Sequence, residues 1–260
     1  MSVGPATSIR WAANDAWVMT WRNLTVWRRV PAYLVFTLVQ PAIFTLLFRY
    51  VFGGAIPVQV NGGYVNYLLP GVIGQTAAFA TMATAISLAI EAQRGSIDRL
   101  RVMPIARSAV LLGRLSADGV RMLVTILVIT GVGYGVGFRF QNGVLAAIGV
   151  IALAELFGLT MCVVSCFIGL ALKQEEAVQA FGLIWLFPLT FLSSAFVPVE
   201  SMPGWLQAFA NHQPVTYIID SMRALALGGP IAHDLTIGLA WLAGILVVFA
   251  PLAVRAYKRA

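Results

Sequence analysis

Apolar residues in this chain run in long unbroken blocks and do not alternate with polar ones. Six blocks reach the roughly 20 residues that a helix needs to cross a hydrocarbon core about 30 Å thick. They cover residues 33–52, 67–90, 119–138, 144–172, 177–197 and 235–254. Such runs predict α-helices and not barrel strands, because a helix pairs its backbone amides within its own segment where no water is available. The second and fourth blocks exceed the span length and predict helices that tilt or protrude. Ahead of the blocks, Trp17, Trp21 and Leu24 recur at i, i+4, i+7, with Arg22, Arg28 and Arg29 close by. This predicts an amphipathic helix within residues 1–31, lying in the inner membrane interface. Pro31 marks the turn into the first span. The segment does not read as a signal peptide, since Trp11, Trp17, Trp21 and Trp27 and the arginines leave no apolar central region of the usual length.

Two segments between the blocks also carry helical patterns. The first follows the second block. Gly95 and Ser96 break the helix, Ser96 is a potential cap and Asp98 favours the first turn of a new helix. Ile97, Leu100 and either Val102 or Met103 give it a short apolar face, and Pro104 ends it. The second lies between the fifth and sixth blocks. Pro203 opens a helix with Met202, Trp205, Leu206 and Phe209 on one face; Pro214 opens another, which Gly228 and Gly229 close. Asp220 and Arg223 are i, i+3 partners within it. Both helices are expected to dip into the outer leaflet.

Composition narrows the class. Hydrophobic residues make up 60% of the 260 and charged residues 10%, against about 25% charged in an ordinary soluble domain. The mean hydropathy is +0.86. One soluble core of this size does not bury so much apolar surface, and disorder requires the opposite composition. The formal charge of +7 is a matter of topology. With both termini inside, 14 of the 17 basic residues fall on the cytoplasmic side, Arg94, Arg99, Arg114 and Arg121 among them, and Arg49, Arg139 and Arg223 remain outside. The excess therefore gives no reason to expect a nucleic-acid partner. The chain divides into residues 1–31, the interfacial helix, and 32–260, a single six-span domain.

The candidate chemistry is sparse. The two lysines, Lys173 and Lys258, do not follow a glycine, so no phosphate-binding GxxxxGK[ST] loop exists. His212 and His233 have no metal-site spacing. Gly158, Cys162, Cys166 and Gly169 predict a small-residue seam for close helix packing, and Gly131, Gly133, Gly135 and Gly137 two overlapping GxxxG contacts. Glu155 stands as the single acidic residue deep inside a predicted span, which makes it a candidate for the transport pathway.

The segment from Glu91 to Pro104 resembles the E-x-x-x-G-[ST]-[LI]-[ED]-x-L-x-x-x-P signature of type-2 ABC exporter permeases, with Glu91, Gly95, Ser96, Ile97, Asp98, Leu100 and Pro104 in place. Phe196, Pro198, Pro203, Trp205, Leu206, Pro214, Tyr217, Arg223, Gly228 and Gly229 match that family's outer motif. Within the family the chain resembles the daunorubicin/doxorubicin-resistance permeases of actinobacteria. Ser96 and Asp98 stand where Thr and Glu are commoner, and Gln93-Arg94 where a basic–acidic pair is frequent. The resemblance implies an all-α membrane protein of six spans, with both termini inside, in a bacterial plasma membrane. It implies a coupling helix including Glu91, Arg94, Gly95, Ser96, Ile97, Asp98, Arg99, Leu100 and Pro104, seated on a cytoplasmic ATP-binding subunit present in two copies. ATP and magnesium would sit on that subunit, with no cofactor in this chain. A second permease, identical or homologous, would complete the assembly. The first and fifth spans would flank the pathway, and the helices around Trp205 and Tyr217 would form an outer gate. The implied activity is ATP-driven export of a hydrophobic or amphiphilic compound by a subunit that is not itself an ATPase. A proton-coupled secondary transporter using Glu155 is the alternative.

Overall fold

The computed structural model describes residues 31–54, 56, 62–95 and 107–259, and positions 17, 18, 20, 21 and 25 before them. Eight α-helices account for most of these residues: α1 (Pro31–Leu47), α2 (Tyr64–Gln93), α3 (Arg107–Gly135), α4 (Gly143–Leu172), α5 (Glu175–Phe191), α6 (Gly204–Ala210), α7 (Pro214–Leu227) and α8 (Ala232–Arg259). No strand occurs among the described residues. Helices α2, α3, α4 and α8 are long and apolar enough to cross a membrane. Helix α1 continues into one wider π turn, Phe48–Phe52, and α5 is a 17-residue apolar helix.

Two boundaries differ from the apolar blocks. Helix α5 stops at Phe191, short of residue 197, because serines take over the backbone: Ser193 Oγ donates to the Thr190 carbonyl at 2.6 Å and accepts from the Ala195 N–H at 3.2 Å. Such local side-chain bonds compete with helix continuation. Helix α3 begins at Arg107, well before residue 119. Its polar first half stays helical because Arg114, Asp118 and Arg121 find partners within the bundle.

Helix α2 lies at the centre. Leu68, Leu69, Val72, Ile73, Ala77 and Ala78 are fully or almost fully buried, and they pack among α3, α4, α5 and α7. Its tightest neighbour is α4. A methyl group added to Gly169 would collide with the Ala85 backbone carbonyl, so only glycine permits this approach. Cys162 and Cys166 are buried free thiols in the same interface, and the predicted seam of α4 is therefore in use. The GxxxG expectation for α3 fails. Gly133 packs against Leu69, but Gly131 and Gly135 face open space. Outward faces remain strongly apolar: Ile184 on α5 is 71% exposed and Val247 on α8 75%. That surface suits hydrocarbon and not water.

Of the amphipathic segment, positions 17, 18, 20, 21 and 25 are helical. Trp17 and Trp21 point outward, and buried Thr20 donates to the Gly113 carbonyl at 3.1 Å. The rest of that segment lies outside the described residues.

Candidate functional site

At one end of the bundle the close of α2 packs against the first half of α3. Gly95 ends α2 with φ +63°, a left-handed conformation that a side chain disfavours. Its N–H donates to Ala92 O at 3.2 Å and the Arg94 N–H to Ile90 O at 3.0 Å, closing the last carbonyls. Arg94 is exposed. Glu91 is partly buried. Its Oε2 lies 3.1 Å from Arg114 Nη1, and Arg114 Nη2 bonds Ser87 Oγ, so this corner joins α2 to α3. Ser96, Ile97, Asp98, Arg99, Leu100 and Pro104 lie outside the described residues.

Farther into the bundle is a polar layer that the apolar blocks conceal. Asp118 and Arg121 pair at 3.0 Å. Thr84 Oγ1 donates to Asp118 Oδ2 at 2.7 Å, and Arg121 Nη2 donates to the Ala80 carbonyl at 2.9 Å. Ser165 on α4 donates to Thr81 at 2.9 Å. One expectation is thereby corrected. Arg121 is 8% exposed inside the bundle, and Asp118, equally buried, joins Glu155 as an interior acid. The signal was present in the sequence, since Asp118 and Arg121 have the same i, i+3 spacing as Asp220 and Arg223. Their partners on α2 had no such signal.

Glu155 sits about 18 Å along α4 from its first residue, Gly143, counting 1.5 Å per residue. The residue is partly buried, and its Oε2 is buried without a hydrogen-bond partner. A methyl group on Gly119 would lie 2.9 Å from Oε1, so the glycine leaves the space the carboxyl occupies.

The opposite end of the bundle is capped by the segment between α5 and α8. Gly204–Ala210 forms a short helix behind Pro203, and Pro214 occupies the first turn of α7, as the sequence predicts. Gln213 ties this cap to α5 through the Leu192 carbonyl at 3.0 Å. Tyr217 donates to the Asn211 carbonyl at 2.6 Å. Arg223 is the main fastener. It pairs with Asp220, donates Nη2 to the Ser194 carbonyl at 2.8 Å and lies 3.7 Å from the centre of the Tyr67 ring. Asp220 accepts from Ser194 Oγ at 2.7 Å. Phe196 is buried and stacks on Phe48 and Phe191, at 4.5 and 5.0 Å between ring centres. Phe191 stacks on Phe187, which meets Phe79 edge-on. This aromatic row links the π turn after α1 to α5 and α2 and was not evident from spacing, because its members come from distant segments. Trp205 and Phe209 face outward, Trp205 with 73% exposure, and Leu206 is half-buried. Pro198 is half-buried and Pro214 buried.

Among the described residues, no three His, Cys, Asp or Glu side chains gather as a metal site requires. A multi-helix bundle with apolar outer faces, buried ion pairs and a tied cap at one end is that of a multi-pass membrane protein. The model of the ABC-2 type transporter family matches residues 14–227, and the chain belongs to that family. It is 31% identical over 258 residues to a daunorubicin resistance ABC transporter permease of Streptomyces coeruleorubidus, covering 99% of this chain and 91% of the relative. It is 33% identical to a probable doxorubicin resistance ABC transporter permease of Mycobacterium tuberculosis, over 99% and 93% of the two chains. An inner membrane transport permease of Escherichia coli is 26% identical over 82% of each. The chain is thus a multi-pass permease of the cell membrane, the membrane component of an ABC transporter.

Proposed function

We propose that this chain is the transmembrane subunit of an ATP-driven exporter that moves a hydrophobic or amphiphilic compound, such as a drug, lipid or glycolipid, outward across the plasma membrane. The observation that carries the reading is the family match over residues 14–227, which takes in the Glu91–Pro104 signature in the sequence between α2 and α3, two helices clamped together there by Glu91 and Arg114. In this reading six spans, α1 to α5 and α8, place both termini inside, and residues 1–31 rest on the inner interface. Two copies of a cytoplasmic ATP-binding subunit receive the hairpin tip and carry ATP and magnesium. A second permease, identical or homologous, faces the first across α1 and α5. The aromatic row from Phe48 to Phe79 supplies an apolar wall, and the cap held by Arg223 is the outer gate. Resistance to daunorubicin and doxorubicin, named for two relatives, supports an amphiphilic drug as a first substrate to try.

The test is co-expression with a candidate ATP-binding subunit, purification of the complex and transport in proteoliposomes. Transport is expected to require ATP hydrolysis. Gly95→Arg or Asp98→Arg is expected to weaken assembly or coupling without blocking membrane insertion. Wild-type assembly and transport in both variants would count against the docking role. Glu155 supports the competing proton-coupled reading because its Oε2 lacks a partner. Transport driven by a proton gradient without ATP, and lost in Glu155→Gln, would establish that reading and sink the first.

A further inference from the structure

The polar groups between α2 and α3 sit at two heights. Near the inner end Glu91 pairs with Arg114, which also bonds Ser87. Farther in, Thr84 bonds Asp118 and Arg121 bonds the Ala80 carbonyl. At a rise of 1.5 Å per residue, the two attachments lie roughly 5 to 17 Å apart along α2, the shorter figure from Ser87 to Thr84 and the longer from Glu91 to Ala80. A single attachment would let two rods pivot about it. Two attachments at different heights fix both their angle and their register. Stability alone is a poor reason for the inner pair, since apolar side chains of similar volume often pack as well or better. What the pairs supply is a directional joint between two particular helices. The opposite side of α2 is built differently. There α5 meets it through Met82 against Gly182 and Phe79 edge-on to Phe187. Such apolar contacts have no fixed hydrogen-bond register to break when helices slide.

We propose that α2 and α3 move as one lever, locked by Glu91–Arg114 at its foot and by the Thr84–Asp118–Arg121 group inside the membrane, while α5 shifts against it. Displacement of residues 96–106 would then travel along both helices to Tyr67 and the Arg223 fastener, and would not be lost in bending the hairpin. The four charged residues are positioning residues, acting through the helices they join. The inference rests on the exporter reading and deepens it.

The experiment uses the assembled permease–ATPase complex in lipid nanodiscs. Spin labels are placed on Gln93→Cys and Ser116→Cys, one exposed position on each arm, and in a second sample on Gln93→Cys and Glu176→Cys, the latter exposed at the start of α5. Distances are measured by pulsed electron resonance before and after trapping with ATP and vanadate. The native cysteines are buried and leave the introduced ones as label sites. The 93–116 distance is expected to stay constant and the 93–176 distance to change. In proteoliposomes, Arg121→Met is expected to lower transport per ATP hydrolysed about tenfold, the scale of an ordinary coupling energy, with hydrolysis and assembly retained. The exchanged pair Glu91→Arg with Arg114→Glu should recover the coupling that either single change loses. A 93–116 distance that changes on trapping overturns the lever, as does a 93–176 distance that does not. Wild-type transport per ATP in Arg121→Met overturns it as well. If Arg121→Met fails to assemble, the distances decide by themselves. Transport that never depends on ATP would instead remove the exporter reading.

Discussion

Replacing Arg223 with Met tests whether the outer cap is held mainly by one side chain. The Arg223 side chain is 13% exposed and that of its partner Asp220 31%, so water screens the pair only in part. Breaking a buried pair by deleting one member costs about 3–5 kcal/mol, because the other charge stays behind uncompensated. Ser194 still bonds Asp220 at 2.7 Å, which argues for the lower end. Loss of the contact with the Tyr67 ring, 3.7 Å away, adds about 1–2 kcal/mol for a desolvated cation over an aromatic face. The Met chain keeps some of that packing. The expected cost is about 4 kcal/mol, or roughly a 10 °C fall in melting temperature for a chain of this size. Thermal unfolding of the detergent-purified permease, followed by tryptophan fluorescence, measures it. Adding Asp220→Leu to Arg223→Met removes the orphaned carboxylate and is expected to recover about half of the loss. A fall of less than about 2 °C in the single variant, or a double variant no better than the single, would refute the reasoning.

Close approach at Gly169 predicts that Gly169→Leu forces α4 away from α2 and destabilises the bundle by about 3 kcal/mol or more, whereas Gly131→Ala, into open space within a helix, is expected to be neutral or to stabilise by up to about 1 kcal/mol; both are read from the same melts. Burial of Cys162 and Cys166 predicts that neither thiol reacts with a maleimide in the native state and that both react after unfolding, as mass spectrometry would show. Rapid native labelling would contradict the α2–α4 packing. Exposure of Trp205 predicts that Trp205→Ser changes stability by less than about 0.5 kcal/mol; a large fall would mean that this face is covered in the isolated subunit.

Much of the architecture was legible because hydrocarbon imposes a simple rule. An apolar run long enough to cross must be helical, so α2, α4 and α8 follow from composition and length alone. The punctuation of the outer cap was legible for a similar reason. Pro203, Pro214, Gly228 and Gly229 act through local backbone geometry, and α6 and α7 begin and end where they stand. Glycine spacing was less dependable. Gly169 meets a neighbouring backbone, while Gly131 and Gly135 meet nothing, since spacing says that one face is small without saying what lies opposite.

The sequence by itself determined the membrane class, the main helices and the two motifs that tie the chain to its family. Those properties depend on neighbours within a few turns or on totals over the whole chain. Only the tertiary structure decided that Glu91 pairs with Arg114, that Arg121 and Asp118 are interior residues held by Ala80 and Thr84, that Arg223 reaches Tyr67 and Ser194, and that phenylalanines from the turn after α1, from α2 and from α5 form one row. Each of these pairs residues far apart in the chain. A buried charge is stable only where distant partners meet it, and the order of residues along a helix does not reveal which helix will stand beside it.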